Sequence, residues 1–325
     1  MALTVEDGTQ LFVYRWVPPK AKAAVQIVHG LAEHAVRYGR LAETLNAAGY
    51  AVYASDLRGH GRTLRDPGEL GLLADRDGWR KCLNDLWSVN RRIAQEQPCM
   101  PIFVLGHSMG SSLALQMMCE RGDSLAGVVL SAANGKPTAL ATAGRIIARM
   151  ERLRLGRRGK SRLVQSLTFD SFNQRFEPAR TRFDWLSRDA AEVDKYVADP
   201  LCGFQAPVQL WIDLLDGWTK AASPGSWRQI PKRLPIYVIS GTHDPVSAGT
   251  RQVRPMLEEW RAAGLNVEHK FYPEARHELL NETNRDEVTR DLLGWLEKSL
   301  VSGEADWRAE PLSHERCKIL RGRML

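Results

Sequence analysis

Residues 106–110 read Gly-His-Ser-Met-Gly, a G-x-S-x-G pattern set between an apolar run, 101–105, and a helical pattern, 111–120. A serine on so tight a strand-to-helix turn has its hydroxyl lifted above the strand end, where a substrate can reach it. Gly106 and Gly110 leave room where side chains would collide. The turn also points the Met109 N–H into the same space, beside a helix N-terminus that favours negative charge. The chemistry expected of Ser108 is nucleophilic attack on a carbonyl.

An alkyl hydroxyl needs a base, and the base needs an orienting carboxylate. On a strand–helix scaffold these partners follow the serine in the order acid, then histidine, each after a later strand. Asp244 follows the apolar run 236–239 within Ser-Gly-Thr-His-Asp-Pro-Val, residues 240–246. His277 follows the run 267–271 within Tyr-Pro-Glu-Ala-Arg-His-Glu, residues 272–278. Asp244 is therefore the expected acid and His277 the expected base. Asp213, Asp216 and Glu274 are the rival acids. His243 precedes the acid, His269 lies mid-strand, and His314 is in the tail. His29, His34, His60 and His107 sit on turns nearer the site and are expected to be structural.

The oxyanion of a tetrahedral intermediate needs two N–H donors, and losing one typically costs about 10²–10³ in rate. Met109 supplies one. The other is expected from the loop His29-Gly30-Leu31-Ala32-Glu33-His34, with the Leu31 N–H as the donor.

These loops have to be held by a sheet. Short apolar runs at 24–28, 51–54, 102–105, 128–130, 236–239 and 267–272 alternate with helical stretches at 38–48, 79–95, 109–120 and 286–298. A hairpin around Asp7-Gly8 precedes them. The alternation predicts an α/β fold, a mostly parallel twisted sheet with helices on both faces. About a hundred residues separate the runs at 128–130 and 236–239, more than one crossover needs. The expected division is a core over 1–134 and 231–302, an inserted, mainly helical cap over 135–230, and a tail over 303–325. Trp185, Trp211, Trp218 and Trp227 lie in the cap, and at least half of them are expected to form its own small core.

The chain of 325 residues is 44% hydrophobic, enough for one large domain. Its five cysteines include no CxxC pair, so neither a disulfide framework nor a zinc site is indicated, and a cytoplasmic setting is expected. No signal peptide or membrane-spanning run is evident. The net charge of +7 comes with no nucleic-acid recognition motif, so no nucleic-acid partner is expected. Residues 149–162 read RMERLRLGRRGKSR. This is either a solvated face or a contact for an anionic membrane surface.

With these residues placed, the chain resembles the monoacylglycerol lipase and lysophospholipase group of α/β-hydrolases, often grouped with serine aminopeptidase-like hydrolases. HGLAEHAVRY from His29, SDLRGHGRT from Ser55, GHSMG from Gly106, SGTHDPVS from Ser240 and YPEARHELLNE from Tyr272 carry the likeness. So does the cap stretch WLSRDAAEVDKYVADPLCGF from Trp185. The resemblance implies the α/β-hydrolase fold, Ser108, Asp244 and His277 as the triad, and Leu31 and Met109 as oxyanion donors. It implies hydrolysis of a carboxylic ester, foremost a monoacylglycerol or lysophospholipid, through an acyl-enzyme and with no cofactor or metal. Where Leu31 stands the group more often has a small residue, which narrows the expected pocket. Other acyl chemistry on the same triad (a general carboxylesterase, acyltransferase, perhydrolase or peptidase) is the alternative, and a catalytically silent binding protein is another. The sequence gives no oligomeric state.

Overall fold

The computed structural model describes residues 1–307; the side chains of 302–307 and the expected tail from 308 to 325 lie outside what it describes. Eight strands form one sheet: β1 (Ala2–Thr4), β2 (Gln10–Trp16), β3 (Ala23–Val28), β4 (Tyr50–Ser55), β5 (Ile102–His107), β6 (Gly127–Ser131), β7 (Ile236–Gly241) and β8 (Val267–Tyr272). Their spatial order is β1-β2-β4-β3-β5-β6-β7-β8. The initial hairpin pairs antiparallel, and β4 through β8 run parallel. Strands β3 to β7 are buried along their whole length, which is why their sequences read as apolar runs rather than alternations.

Helices α1 (Gly39–Ala47), α2 (Gly78–Glu96) and α3 (Met109–Arg121) connect the first parallel strands. Between β6 and β7 the chain leaves the sheet for a helical insertion. It contains α4 (Ala139–Leu155), α5 (Ala190–Ala198) and α6 (Val208–Ala221), with shorter helical turns between them. After β7 come α7 (Val253–Ala262) and α8 (Arg285–Trp307). The last helix continues past residue 302, where the sequence reading begins a tail. Helix α6 is fastened to the sheet layer through Trp218, whose indole N–H donates to the Gly135 carbonyl at 2.9 Å.

Cys82, Cys119 and Cys202 are free and buried, as expected of small apolar groups. Among the described residues no helix is long and apolar enough to cross a membrane.

The close approach of α3 to the sheet depends on two glycines. A Cβ on Gly106 would lie 2.2 Å from the Gly110 carbonyl oxygen, and one on Gly110 would lie 2.1 Å from that of Val28. Both obstacles are backbone, so neither can swing aside. Gly110→Ala is expected to cost about 3 kcal/mol through forced overpacking. Gly294→Ala, on an exposed helix position with nothing within 4 Å, should instead stabilise by about 0.5–1 kcal/mol. Thermal unfolding of both variants checks this; equal melting points would contradict it.

Candidate active site

The four parallel strands β3, β5, β7 and β8 deliver their carboxyl-end loops to one crevice, where open α/β sheets bind ligands. Ser108 follows β5 with φ 53° and ψ −116°, a conformation costly for a residue with a side chain. It is held by its own N–H donating to the Ser131 carbonyl at 3.0 Å, while its carbonyl accepts from Ser111 Oγ at 2.6 Å. Its neighbour Met109 opens α3, so the Met109 N–H is among those that have no partner within the helix. Leu31 lies in the loop after β3, and its N–H has no hydrogen-bond partner among the described residues. Both residues line the same cavity as Ser108.

Asp244 and His277 meet as their order in the chain anticipates. The His277 Nδ1–H donates to Asp244 Oδ1 at 3.0 Å, and the same carboxylate oxygen accepts from the Val246 N–H at 2.9 Å. Asp244 is fully buried, whereas His277 reaches the cavity wall. This bond fixes the tautomer and turns Nε2 away from the acid. Ser108 Oγ and the His277 ring make no hydrogen bond to each other in this structure; such contacts tighten when substrate fills a site.

The histidines differ sharply in proton affinity. Burial works against a charged His277 ring, but the Asp244 charge and hydrogen bond outweigh it and raise the pKa above its ordinary value. His107, whose ring centre lies 4.9 Å from that of His277, is pushed down to about 4 by burial and by that neighbour. His60 is also lowered to about 4, chiefly by burial. His29 is held neutral by burial as well, and its Nε2 accepts from the Leu57 N–H at 2.9 Å. These three are structural, as the sequence suggests. His243 is exposed, and His269 lies in β8. Among the rival acids, Asp216 pairs with Arg145 and Arg149, and Glu274 is exposed beside Arg188. Asp213 is buried in α6 and accepts from Gln209 at 2.8 Å.

Sequence reasoning missed a buried ion triad behind the site. Arg37 donates to Glu33 Oε2 at 2.8 Å and to both carboxylate oxygens of Glu278 at 2.6 Å. Glu33 Oε1 accepts from the Gly30 N–H at 2.6 Å and from the Tyr38 hydroxyl at 2.9 Å. One guanidinium thus ties the loop bearing Leu31 to the residue next to His277. Burial opposes both charged carboxylates, but Arg37 holds their pKa values below the ordinary range. The i,i+4 spacing of Glu33 and Arg37 is the only signal of this in the sequence; Glu278 lies 241 residues from Arg37.

The helical insertion closes the site from above. The Glu278 N–H donates to the Leu186 carbonyl at 2.7 Å, and the Trp185 ring stands 5.0 Å from that of His277. The Tyr196 hydroxyl and the Gly203 N–H both donate to the Ala32 carbonyl, at 2.8 and 2.9 Å. Beneath lies a cavity of about 220 Å³ lined by Ser108, His277, Leu31 and Met109 on its floor and by Ile147, Phe169, Phe172 and Leu214 on its walls. Trp185, Trp211 and Trp218 also line it. Trp185, Trp211 and Trp227 belong to the buried hydrophobic core, in keeping with the expectation that at least half of the four would, and two of these three face the cavity as well. The arrangement can bring an acyl chain to a serine whose neighbouring groups are poised to take its proton and to bind an oxyanion.

The family model described as serine aminopeptidase, S33, matches residues 19–284. The chain is 28% identical to the monoacylglycerol lipase of Mycolicibacterium smegmatis, with 89% of this chain and 93% of that protein covered. It is 28% identical to the monoglyceride lipase of Mus musculus, with 86% of each covered. Its structure is similar, with a TM-score of 0.84 and 25% identity, to a highly thermostable carboxyl esterase from Bacillus coagulans solved with glycerol; 92% of this chain and 98% of that one are covered.

Two outcomes test the site. Arg37→Met leaves two buried carboxylates without a counter-charge and is expected to cost about 3–5 kcal/mol at neutral pH. Because wild-type Glu33 and Glu278 have lowered pKa values, their stabilisation is present above about 4.5 and is lost as pH falls through the depressed values. The gap between variant and wild type should therefore shrink on acidification, and melting curves showing a gap independent of pH would contradict the triad. Separately, a neutral His277 is needed as base, so the acid limb of kcat/KM should fall above the ordinary histidine value. Asp244→Asn should move that limb downward and lower kcat by about 10⁴-fold; an unmoved limb counts against the pairing.

Proposed function

This chain belongs to the serine aminopeptidase, S33, family of hydrolases, and we propose that it is a monoacylglycerol-type ester hydrolase acting through an acyl-enzyme on Ser108. His277 takes the Ser108 proton as the hydroxyl attacks the ester carbonyl. The Leu31 and Met109 N–H groups receive the oxyanion, which they stabilise by more than they stabilise the carbonyl. His277 then protonates the departing alcohol, and later activates the water that releases the fatty acid. Asp244 orients the ring throughout. Residues 135–230 act as the cap that keeps the acyl chain out of water.

The observation that carries this reading is the largely apolar cavity that Ser108 and His277 line. A separate small pocket of about 20 Å³ adjoins it, sharing Glu33, His107 and Glu278 and lined also by Arg37, Tyr38 and Arg40. Its two carboxylates, Glu33 and Glu278, are matched by two guanidiniums, Arg37 and Arg40, so its lining holds no excess positive charge for a phosphodiester. The likeness to proteins named monoacylglycerol lipase and monoglyceride lipase points the same way. An aminopeptidase would need a free carboxylate for the substrate's amino group. Asp184, Asp189 and Glu192 are instead engaged by Thr181, Arg285 and Arg40, and Glu177 accepts from the Ala179 N–H. None of the four lines the cavity.

A lipid surface is the second partner proposed. Leu140, Ile146, Met150 and Leu153 of α4 are exposed, and Arg152, Arg157, Lys160 and Arg162 lie along the same stretch. Leu140 also borders the cavity mouth, which suits an approach from anionic lipid. The three free, buried cysteines among the described residues support a cytoplasmic setting.

Purified protein should hydrolyse a long-chain monoacylglycerol with kcat/KM at least about tenfold above that for the matching lysophosphatidylcholine, a difference of about 1.4 kcal/mol. Equal or reversed values would overturn the monoacylglycerol assignment, and cleavage of an aminoacyl anilide would restore the peptidase reading. Sedimentation with vesicles at low salt should favour acidic over neutral lipid; equal binding removes the membrane partner.

A further inference from the structure

Away from the catalytic residues, three metal-ligand side chains meet where the insertion touches the loop after β3. The His34 Nε2 lies 2.8 Å from Asp199 Oδ2, and with Cys202 Sγ these donor atoms all fall within 4.8 Å of one another. His34 and Cys202 are buried, and Asp199 is partly exposed, giving a cation a path in. Cys202 Sγ makes no hydrogen bond with any described residue, although the side chain is only 8% exposed. Its placement is set by one turn of chain after α5, in which the Cys202 N–H donates to the Asp199 carbonyl at 3.0 Å. The Leu201 N–H occupies Asp199 Oδ1 at 2.9 Å and leaves Oδ2 facing His34.

We propose that His34, Asp199 and Cys202 form a binding site for a thiophilic divalent cation such as zinc, and that the bound cation inhibits the hydrolase by cross-linking the insertion to the oxyanion loop. An imidazole, a carboxylate and a thiolate together balance the charge of a divalent ion, and zinc takes this mixed nitrogen, oxygen and sulfur set. Bonds of about 2.0–2.3 Å would set tetrahedral ligands about 3.5 Å apart, so the His34–Asp199 pair at 2.8 Å opens by about 0.7 Å and the separations to Cys202, at most 4.8 Å, close by up to about 1.3 Å. A water fills the fourth position. On binding, Cys202 gives its thiol proton to solvent, the metal–sulfur bond forms, and the His34–Asp199 hydrogen bond is exchanged for two metal bonds.

The coupling follows from position. His34 lies three residues after Leu31, and the intervening Ala32 carbonyl receives the Tyr196 hydroxyl and the Gly203 N–H from the chain on either side of Asp199 and Cys202. Drawing His34 and Cys202 onto one ion shifts the segment that presents the Leu31 N–H. Among the described residues no other group of three such side chains is close enough to hold a metal.

Cobalt titration of the chelator-treated full chain tests the binding without reference to activity. Wild type should show a saturable near-ultraviolet sulfur-to-cobalt charge-transfer band at one ion per chain. Cys202→Ser should lose the band, and His34→Gln should weaken cobalt binding by about tenfold or more. Melting points without metal establish that both variants are folded, and Asp199→Asn serves as a third if either is not. Saturating zinc should lower turnover of a soluble ester by about tenfold in wild type and leave Cys202→Ser unaffected, with both proteins equally active in chelator. No band, or a band kept by Cys202→Ser, overturns the site. A band with turnover unchanged by zinc overturns the inhibitory coupling.

Discussion

A buried guanidinium between two buried carboxylates is the constraint on which the rest of this site rests. Glu33 and Glu278 are buried and the Arg37 side chain is only 11% exposed, a placement that costs several kcal/mol per ion unless geometry and hydrogen bonding are complete. Completion is reached because Glu33 also receives Gly30 and Tyr38. Its consequence is positional. The loop after β3 and the loop after β8 sit on opposite sides of the nucleophile's strand, with β5, β6 and β7 between β3 and β8. No backbone ladder joins those two loops. Arg37 joins them instead, and so fixes the Leu31 loop relative to His277, the proposed oxyanion donor and base.

The same low-dielectric surroundings separate the histidines by role. His29, His60 and His107 are buried without a carboxylate bond to the ring, so desolvation prevails and they stay neutral. His277 is just as buried, but Asp244 faces its Nδ1 and reverses the balance. One ring in the cluster is thereby able to gain a proton during turnover. The apolar walls above it, contributed by the insertion, exclude water and strengthen that electrostatic arrangement.

Much of this was legible in the sequence, for identifiable reasons. All six runs marked in the core became strands; five of them, β3 to β7, are buried on both faces and so write themselves as apolar runs, whereas β8 is buried only at its ends. The elbow is legible because its glycines are required by backbone contacts, and the His277–Asp244 pairing of the proposed triad because its members follow strand ends in order. What the sequence hid is what depends on long-range side-chain meetings. Glu278 carries no mark distinguishing it from any acid beside a histidine, and its partner is 241 residues away. His34 and Asp199, 165 residues apart, are likewise unremarkable until the insertion folds back. That Trp185 and Trp211 face a cavity as well as the core is not legible either, because a helical pattern shows which face is apolar but not what that face meets.

The most direct test of the account is to map where a fluorophosphonate probe attaches, by peptide mass spectrometry of the intact, folded protein. The account predicts a single adduct on Ser108, formed rapidly in wild type, slowed greatly in His277→Ala and absent in Ser108→Ala. An adduct on another residue, or labelling undiminished in Ser108→Ala, would contradict it.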